Sequence, residues 1–578
     1  MPTTRFLLSA ACCWLLLLSA CDRPAPDALV ADLVLTNGKI VTVDSLLPEA
    51  QAIAVKGDVI LALGTSDAIA EYVGAGTEVI DLGGQLAIPG LIEGHAHFMG
   101  MGKSRMILDL RTASTWQDIV DMVGEAAEGS EPGEWIEGRG WHQEKWTEVP
   151  EGAVEGVPTH HSLSDVSPEN PVLLRHASGH ASFANAEAMR RGRVSPETPN
   201  PSGGEIVHDM SGAPTGMLRE TAQGLVSRAL ATDRAQMTRE ELTEEARTQA
   251  RLAAEESLMK GITSFQDAGS SFNDVDFFKQ LVDDGELPLR LYVMIRASVA
   301  EATAKLPEYR TVNYGDDRLT VRALKRSLDG ALGPHGAWLL KPYADMPESS
   351  GLATDNLNDL ANLAQVALEN DVQLNIHAIG DRANREVLDL YERTFAANTD
   401  TTDDLRWRVE HAQHLHPDDI TRFAELGVIP AMQGVHATSD GPWIPRRLGD
   451  QRAKEGAYVW QTLWQSGAVI ANGTDAPVED VDPIASYYAT VSRKLADGTV
   501  FYPEERLTRE QALQSYTLNN AYAAFEEDIK GSLTPGKLAD ITVLSQDILT
   551  IPEDDILSTE VVYTIVGGEV MYARYGDG

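Results

Sequence analysis

Cysteine is nearly missing. Of 578 residues only Cys12, Cys13 and Cys21 are cysteines, so no disulfide framework exists in the rest of the chain. Aromatic residues are sparse at 6%, which argues against a surface that stacks sugars or bases. Positive charge is also short. The 47 Lys+Arg face 87 Asp+Glu for a formal charge of −40, a field that repels polyanions and speaks against DNA or RNA as a partner. The carboxylates are spread along the chain, so they read as solvation in a salty or extracytoplasmic setting and not as an acidic tail. No internal repeat or low-complexity tract stands out, which leaves solenoids without support. Gly-x-Ser-x-Gly and P-loop patterns are absent too, and with them the signatures of serine hydrolases and nucleoside triphosphatases.

What is present is a globular composition, 43% hydrophobic and 23% charged. The length suits two to four domain-sized units or one large barrel with insertions. The opening stretch "MPTTRFLLSAACCWLLLLSAC" has Arg5, an apolar run from Phe6 to Leu18 and small residues before Cys21. It reads as a secretory signal too short for a membrane span. Leu18-Ser19-Ala20-Cys21 resembles a bacterial lipobox. That resemblance implies removal of residues 1–20, lipid on Cys21, and a tether on the extracytoplasmic side of a bacterial envelope, with 21–30 as a linker. An uncleaved anchor helix is the alternative.

From Asp32 the chain alternates as strands do. "DLVLTNGKIVTVD" and "AIAVKGDVILALG" each carry an Asn-Gly or Gly-Asp turn and predict hairpins. "GSLTPGKLADITVLS" and "VVYTIVGGEVMYA" repeat the style at the other end. One small composite β-sandwich is expected from both ends, over 31–86 and 531–578. Between them, over 87–530, short β-branched runs alternate with helical patterns such as "LTEEARTQARLAAEESLMK", as βα units of a parallel sheet do. Eight candidate strands run from "QLAIPGLIEGHAH" and "GITSFQDAG" through "RLYVMIRAS", "LTVRALKRSLDG", "VQLNIHAIG", "RWRVEHA" and "VIPAMQG" to "AVIANGTDAP". They would close an α/β (β/α)8 TIM barrel. An insertion, about 100–255, follows the first strand and is expected to cover one barrel mouth.

Several of these strands end in metal-binding or proton-handling residues: His95 and His97 on the first, Lys325 near the end of the fourth, His377 on the fifth, His411 on the sixth, Asp475 after the eighth. Such ends gather at the C-terminal face of a parallel barrel, where active sites of this fold lie. His95 and His97 are two apart on a strand, so both rings point to one face and can reach one ion. Imidazole and carboxylate ligands suit zinc, with iron, manganese or nickel as alternatives.

The pattern "PGLIEGHAH…K…IHAIGD…EHAQ…GTDAP" resembles the amidohydrolase superfamily. More narrowly it is similar to amidohydrolase family 3, the YtcJ-like metal-dependent hydrolases that include N-substituted formamide deformylases. The likeness extends over nearly everything after the signal, including "GSLTPGKLAD". It implies one ion held by His95, His97 and Asp475, a second held by His377 and His411, and Lys325 carboxylated by CO₂ as a bridge between them. An ordinary salt bridge from Lys325 to Asp329, with a mononuclear site, is the alternative. Asp475 would take the proton of a metal-activated water and pass it to a leaving nitrogen. His436, just past the seventh strand, would polarise the carbonyl.

In the insertion Trp141, Arg175, His180 and Arg219 are candidates to line the pocket. Asp267 is expected to brace the site from below, and His160, His161, His414 and His416 to face solvent. The expected substrate is a small molecule with an amide, formamide or cyclic amide bond. The tryptophans of "WHQEKW" favour a small apolar or aromatic acyl-amine. A dipeptidase or cyclic-imide hydrolase of the same superfamily, or a non-catalytic periplasmic binding lipoprotein, stays open, as does a homodimer.

Overall fold

The computed structural model describes residues 30–399 and 404–575. The readings of the signal, of Cys21 and of nearly all the linker fall on 1–29, outside the described residues. Among the described residues no helix is long and apolar enough to cross a membrane.

Eight parallel strands form the centre: β1 Leu91–Ala96, β2 Ile262–Ser270, β3 Arg290–Ile295, β4 Leu319–Ser327, β5 Gln373–Ala378, β6 Arg408–His411, β7 Ile429–Gln433 and β8 Ala471–Gly473. Each pairs with the next. The ring is drawn together where Asp475 N–H donates to the carbonyl of His95 at 2.7 Å and His97 N–H to that of Ala476 at 2.8 Å. Strands in such a barrel are covered on both faces, and every residue of β3 and β5 is buried. The helices between them show one apolar face. On Leu357–Glu369 the buried Leu360, Leu363, Ala364 and Ala367 follow the helical period and pack against the barrel. Capping boxes at Thr238 with Glu241, Ser271 with Asp274 and Ser298 with Glu301 mark where three of the helices begin.

A β-sandwich draws on both ends of the chain. One sheet joins Leu33–Thr36, Ala52–Lys56, Val59–Gly64 and Glu78–Asp81. The other joins Lys39–Val41, Glu49–Ala50 and Leu86–Pro89 to Ile541–Leu544, Val561–Val566 and Glu569–Ala573. Leu35, Ile53, Ile541 and Ile565 share the apolar layer between the two sheets. The hairpins at Gly57 and at Gly567-Gly568 form as expected. The one at Asn37-Gly38 does not. Asn37 has a φ of 55°, and the chain crosses there from one sheet to the other.

The run "QLAIPGLIEGHAH" also divides. Leu86–Pro89 belongs to the sandwich and β1 to the barrel, with Gly90 at the hand-over, where a Cβ would stand 2.2 Å from the Thr263 hydroxyl. After β1 the insertion folds as its own six-stranded sheet between Leu108 and Glu220, around Trp116, Trp141 and Phe183. The helix Arg239–Met259 then returns the chain to the barrel, burying Ala250, Ala253, Ala254 and Leu258 in its core.

Candidate metal centre and active site

The two strands that carry His95 and Asp475 approach too closely for side chains between them. A Cβ on Gly94 would lie 2.4 Å from the carbonyl oxygen of Asn472, and one on Gly473 would lie 2.3 Å from Oε1 of Glu93. "EGHAH" and "NGTD" therefore need their glycines. Glu93 bolts the seam by accepting from Thr474 N–H at 2.7 Å and its hydroxyl at 3.0 Å. Beyond His97 the chain turns into Phe98–Ser104, where Phe98 N–H donates to Asp267 at 2.9 Å. The other Asp267 oxygen takes the Ser270 hydroxyl at 2.6 Å. Two site residues have left-handed backbones, His411 at φ 77° and Asp475 at φ 59°. Such strain in non-glycine residues collects where function requires a particular aim.

These ends bring the expected residues together. Asp475 Oδ1 lies 3.2 Å from Nε2 of His97 and 3.6 Å from Nε2 of His95. The His411 ring is 4.6 Å from that of His95 and 4.4 Å from that of His377. Two groups can each close on one ion: His95, His97 and Asp475, and His411, His436 and Asp475. The second differs from the expected set in holding His436.

Hydrogen bonds assign the nitrogens. His411 Nδ1 meets Oε1 of Gln433 at 2.8 Å, and the amide nitrogen of that glutamine donates to Ala431, so His411 donates from Nδ1 and keeps a lone pair on Nε2. His436 is the reverse. Its Nδ1 accepts from the Gln413 amide at 3.0 Å, which puts the proton on Nε2. Nε2 of His95, His377 and His436 are all buried with no hydrogen-bond partner. Buried polar atoms are otherwise satisfied almost everywhere. His95 thus fits a metal as a ligand and His436 fits the site as a donor, while Nε2 of His377 faces Oδ1 of Asp329 at 3.5 Å and His377 joins neither group.

Burial pushes His95 down to about 4, with Lys325 adding to it against the pull of Glu410. His377 and His411 are held well below the ordinary imidazole value, again first by burial. All three rings are neutral at pH 7, as ligands must be. Burial works against ionisation of Asp475, but His97, His411 and His95 outweigh it and hold the carboxyl well below its usual range.

Lys325 is buried and, among the described residues, has no ion pair. Burial, with Arg296 after it, pushes its amine down to about 7. Asp329 is engaged elsewhere, accepting from the backbone N–H of Trp338, Ile379 and Gly380 at 2.8, 3.0 and 2.8 Å. The Lys325–Asp329 salt bridge is therefore absent.

A cavity of about 570 Å³ lies between the barrel mouth and the insertion, a size that suits a small molecule. His97, Lys325, His377, His411, His436 and Asp475 line it from the barrel, and Arg175, His180, Arg139 and His142 from the insertion. His180 pairs with Glu220 at 3.0 Å.

Trp141 does not reach this cavity. Its indole N–H donates to Leu174 at 3.0 Å and its ring packs on Trp146 and Phe183 in the insertion's core. Arg219 is also withdrawn, paired with Glu155 and Glu205 at 2.7 Å each. The tryptophans of "WHQEKW" thus give no ground for an apolar substrate. His414 faces no solvent: it is buried against Tyr458 under the loop that follows β6.

Glu410 and Arg408 carry a part that the sequence reading left unassigned. The Glu410 carboxylate holds Nδ1 of His95, while Arg408 grips Glu410 at 2.6 Å and donates to the Gly94 carbonyl at 2.7 Å. Such carboxylate-histidine support orients a ligand. Replacing Glu410 with Gln is expected to weaken metal binding about 10–100-fold in chelator competition on the folded protein. It also leaves Arg408 buried without its counter-charge, at a cost of about 3–5 kcal/mol. A fall in melting temperature with metal affinity unchanged would reduce Glu410 to a packing role.

Comparison with known proteins agrees with this geometry. The profile described as "Amidohydrolase family" matches residues 78–572. The putative amidohydrolase YtcJ of Bacillus subtilis is 30% identical, over 91% of this chain and 96% of its own length. The N-substituted formamide deformylase of Arthrobacter pascens is 26% identical, over 94% and 99%. Among solved structures, an uncharacterized metal-dependent hydrolase from Pyrococcus horikoshii OT3 superposes with a TM-score of 0.72 at 26% identity, over 90% of this chain and 99% of that one.

Proposed function

Because this chain belongs to the amidohydrolase family, and is a metal-dependent hydrolase of small molecules by that kinship, we propose that it cleaves a non-peptide amide or formamide C–N bond. The observation that carries the reading is the convergence of His95, His97 and Asp475 at one point, with Nε2 of His95 buried and otherwise unpartnered. His377 and His411, with Lys325 as a carboxylated bridge, would hold a second ion beside it. When bound, a divalent ion, zinc in this proposal, would supply polarisation of a carbonyl and lower the pKa of water from about 15.7 toward ~7.

The chain's own groups do the rest. Asp475 is ionised and faces the imidazoles, so its carboxylate can take the proton of the attacking water and deliver it to the leaving nitrogen. His436, protonated on Nε2, donates to the carbonyl oxygen as negative charge develops there. Burial keeps His95 neutral, and Glu410 aims it. The insertion closes the cavity from above and limits access by bulk water.

The test is amine release from N-formyl and N-acyl amines by the zinc-loaded protein, with dipeptides and cyclic imides in parallel. Release of amine, abolished by a chelator and restored by zinc, is expected. Turnover confined to dipeptides or imides, or none with full metal, overturns the proposal.

A further inference from the structure

The cavity wall opposite the barrel carries positive charge for which hydrolysis itself has no use. Arg139 and Arg175 sit on the adjacent parallel strands Ile136–Trp141 and Val172–His176 as register partners, so their side chains leave the same face, and both line the cavity. Arg139 reaches only backbone carbonyls, those of Pro477 at 3.2 Å and Ala177 at 3.0 Å. Among the described residues neither Arg175 nor Lys145, at the same wall, has a hydrogen bond or ion pair from its side chain.

Arginines elsewhere that lack a carboxylate partner, such as Arg452 and Arg493, still bond to two or more backbone carbonyls, and the excess of acid supplies counter-ions to others: Arg105 has Glu256 and Asp480, Arg219 has Glu155 and Glu205, and buried Arg447 has Asp345. At the cavity the acids are otherwise engaged or apart. Asp475 lies among the histidines, Asp440 takes the Tyr458 hydroxyl at 2.8 Å, and among the described residues Glu479 forms no ion pair. Like charges facing each other across neighbouring strands repel. Burial, and Arg175 against the pull of Asp475, lower Arg139 to about 10. An anion that both guanidiniums can grip relieves that cost.

We propose that the substrate carries an anionic headgroup, a carboxylate or a phosphate, held by Arg139 and Arg175 with Lys145 beside them. Arg139 is anchored to Pro477, two residues past Asp475, so the headgroup lies only a few bonds from the scissile C–N bond, as in an N-acyl amino acid. This substrate class rests on the hydrolase reading.

The test uses calorimetry on the zinc-loaded protein with phenylacetate, phenyl phosphate and neutral phenylacetamide. The anions are expected to bind at least 10-fold tighter than the amide, and more weakly as salt is raised. That preference should fall to within threefold in Arg139→Gln and in Arg175→Gln, with metal content unchanged, and be kept in part by Arg175→Lys. The tighter of the two anions identifies the headgroup.

In turnover, N-formylphenylalanine should exceed N-formylphenylalaninamide at least 10-fold in kcat/KM, and both Gln variants should lose that margin through KM. Equal binding of phenylacetamide, or anion binding that survives both Gln variants and so belongs to the metal, overturns the headgroup. Anion binding that obeys the variants while neither formyl compound is hydrolysed supports the headgroup and overturns the C–N hydrolase reading instead.

Discussion

Asp475→Asn is expected to lower kcat by about 10³-fold at saturating zinc, within the range that a positioned acid–base group contributes, while substrate binding stays within a few-fold. Asparagine keeps the size of the side chain and one oxygen for the side facing His95 and His97, now at 3.6 and 3.2 Å. It cannot accept a proton from water. It also removes a negative charge from a cluster in which His95, His97 and His411 all surround the carboxylate, so zinc occupancy has to be measured with the rate. Activity within tenfold of the parent, with zinc bound, would move the proton carrier elsewhere; the His180–Glu220 pair, 3.0 Å apart at the cavity, is the next place to look.

Lys325→Met has a smaller but still large effect by a different route. Metal content is expected to fall by one ion per chain and kcat/KM by ~100-fold, equivalent to ~2.7 kcal/mol of transition-state stabilisation. The folded protein should lose nothing else. Lys325 is buried and has no ion pair among the described residues, and an uncompensated buried ammonium costs free energy that a thioether of similar length does not. The melting temperature of the metal-free variant is therefore expected to match or exceed that of the metal-free parent. Unchanged metal content and activity would leave Lys325 without a role in the site.

The barrel and the residues that meet at its mouth were legible because the chemistry recurs at one place in each βα unit. A histidine, lysine or aspartate at the end of an apolar run needs no tertiary knowledge to be noticed, and the parallel fold sends all such ends to one mouth. Arg408 and Glu410 had a signal as well. Two charges two residues apart in the inner strand "RWRVEHA" must share one face, and the interior of a barrel accepts them only if they are paired.

Other features had no local signal. Trp141 and Arg219 sit in stretches whose composition suits a core and a pocket lining equally, and only the packing of the insertion separates them. His414 looks like a surface histidine until the loop after β6 folds under Tyr458. The expected hairpin at Asn37-Gly38 failed because a turn sequence states that the chain bends, not whether the strands on either side will pair. That Arg139 and Arg175 have no carboxylate partner among the described residues depends on where the acids fall in space, which no reading along the chain can supply.

The most direct test of a metal centre on these strand ends is metal content by plasma mass spectrometry on protein purified without chelators and with bicarbonate present, alongside the His95→Ala, His97→Ala double variant. The proposed function predicts about two transition-metal ions per chain in the parent, in the manner of two-metal sites, and loss of at least one in the double variant together with activity. No bound metal in the parent after reloading with zinc would contradict it.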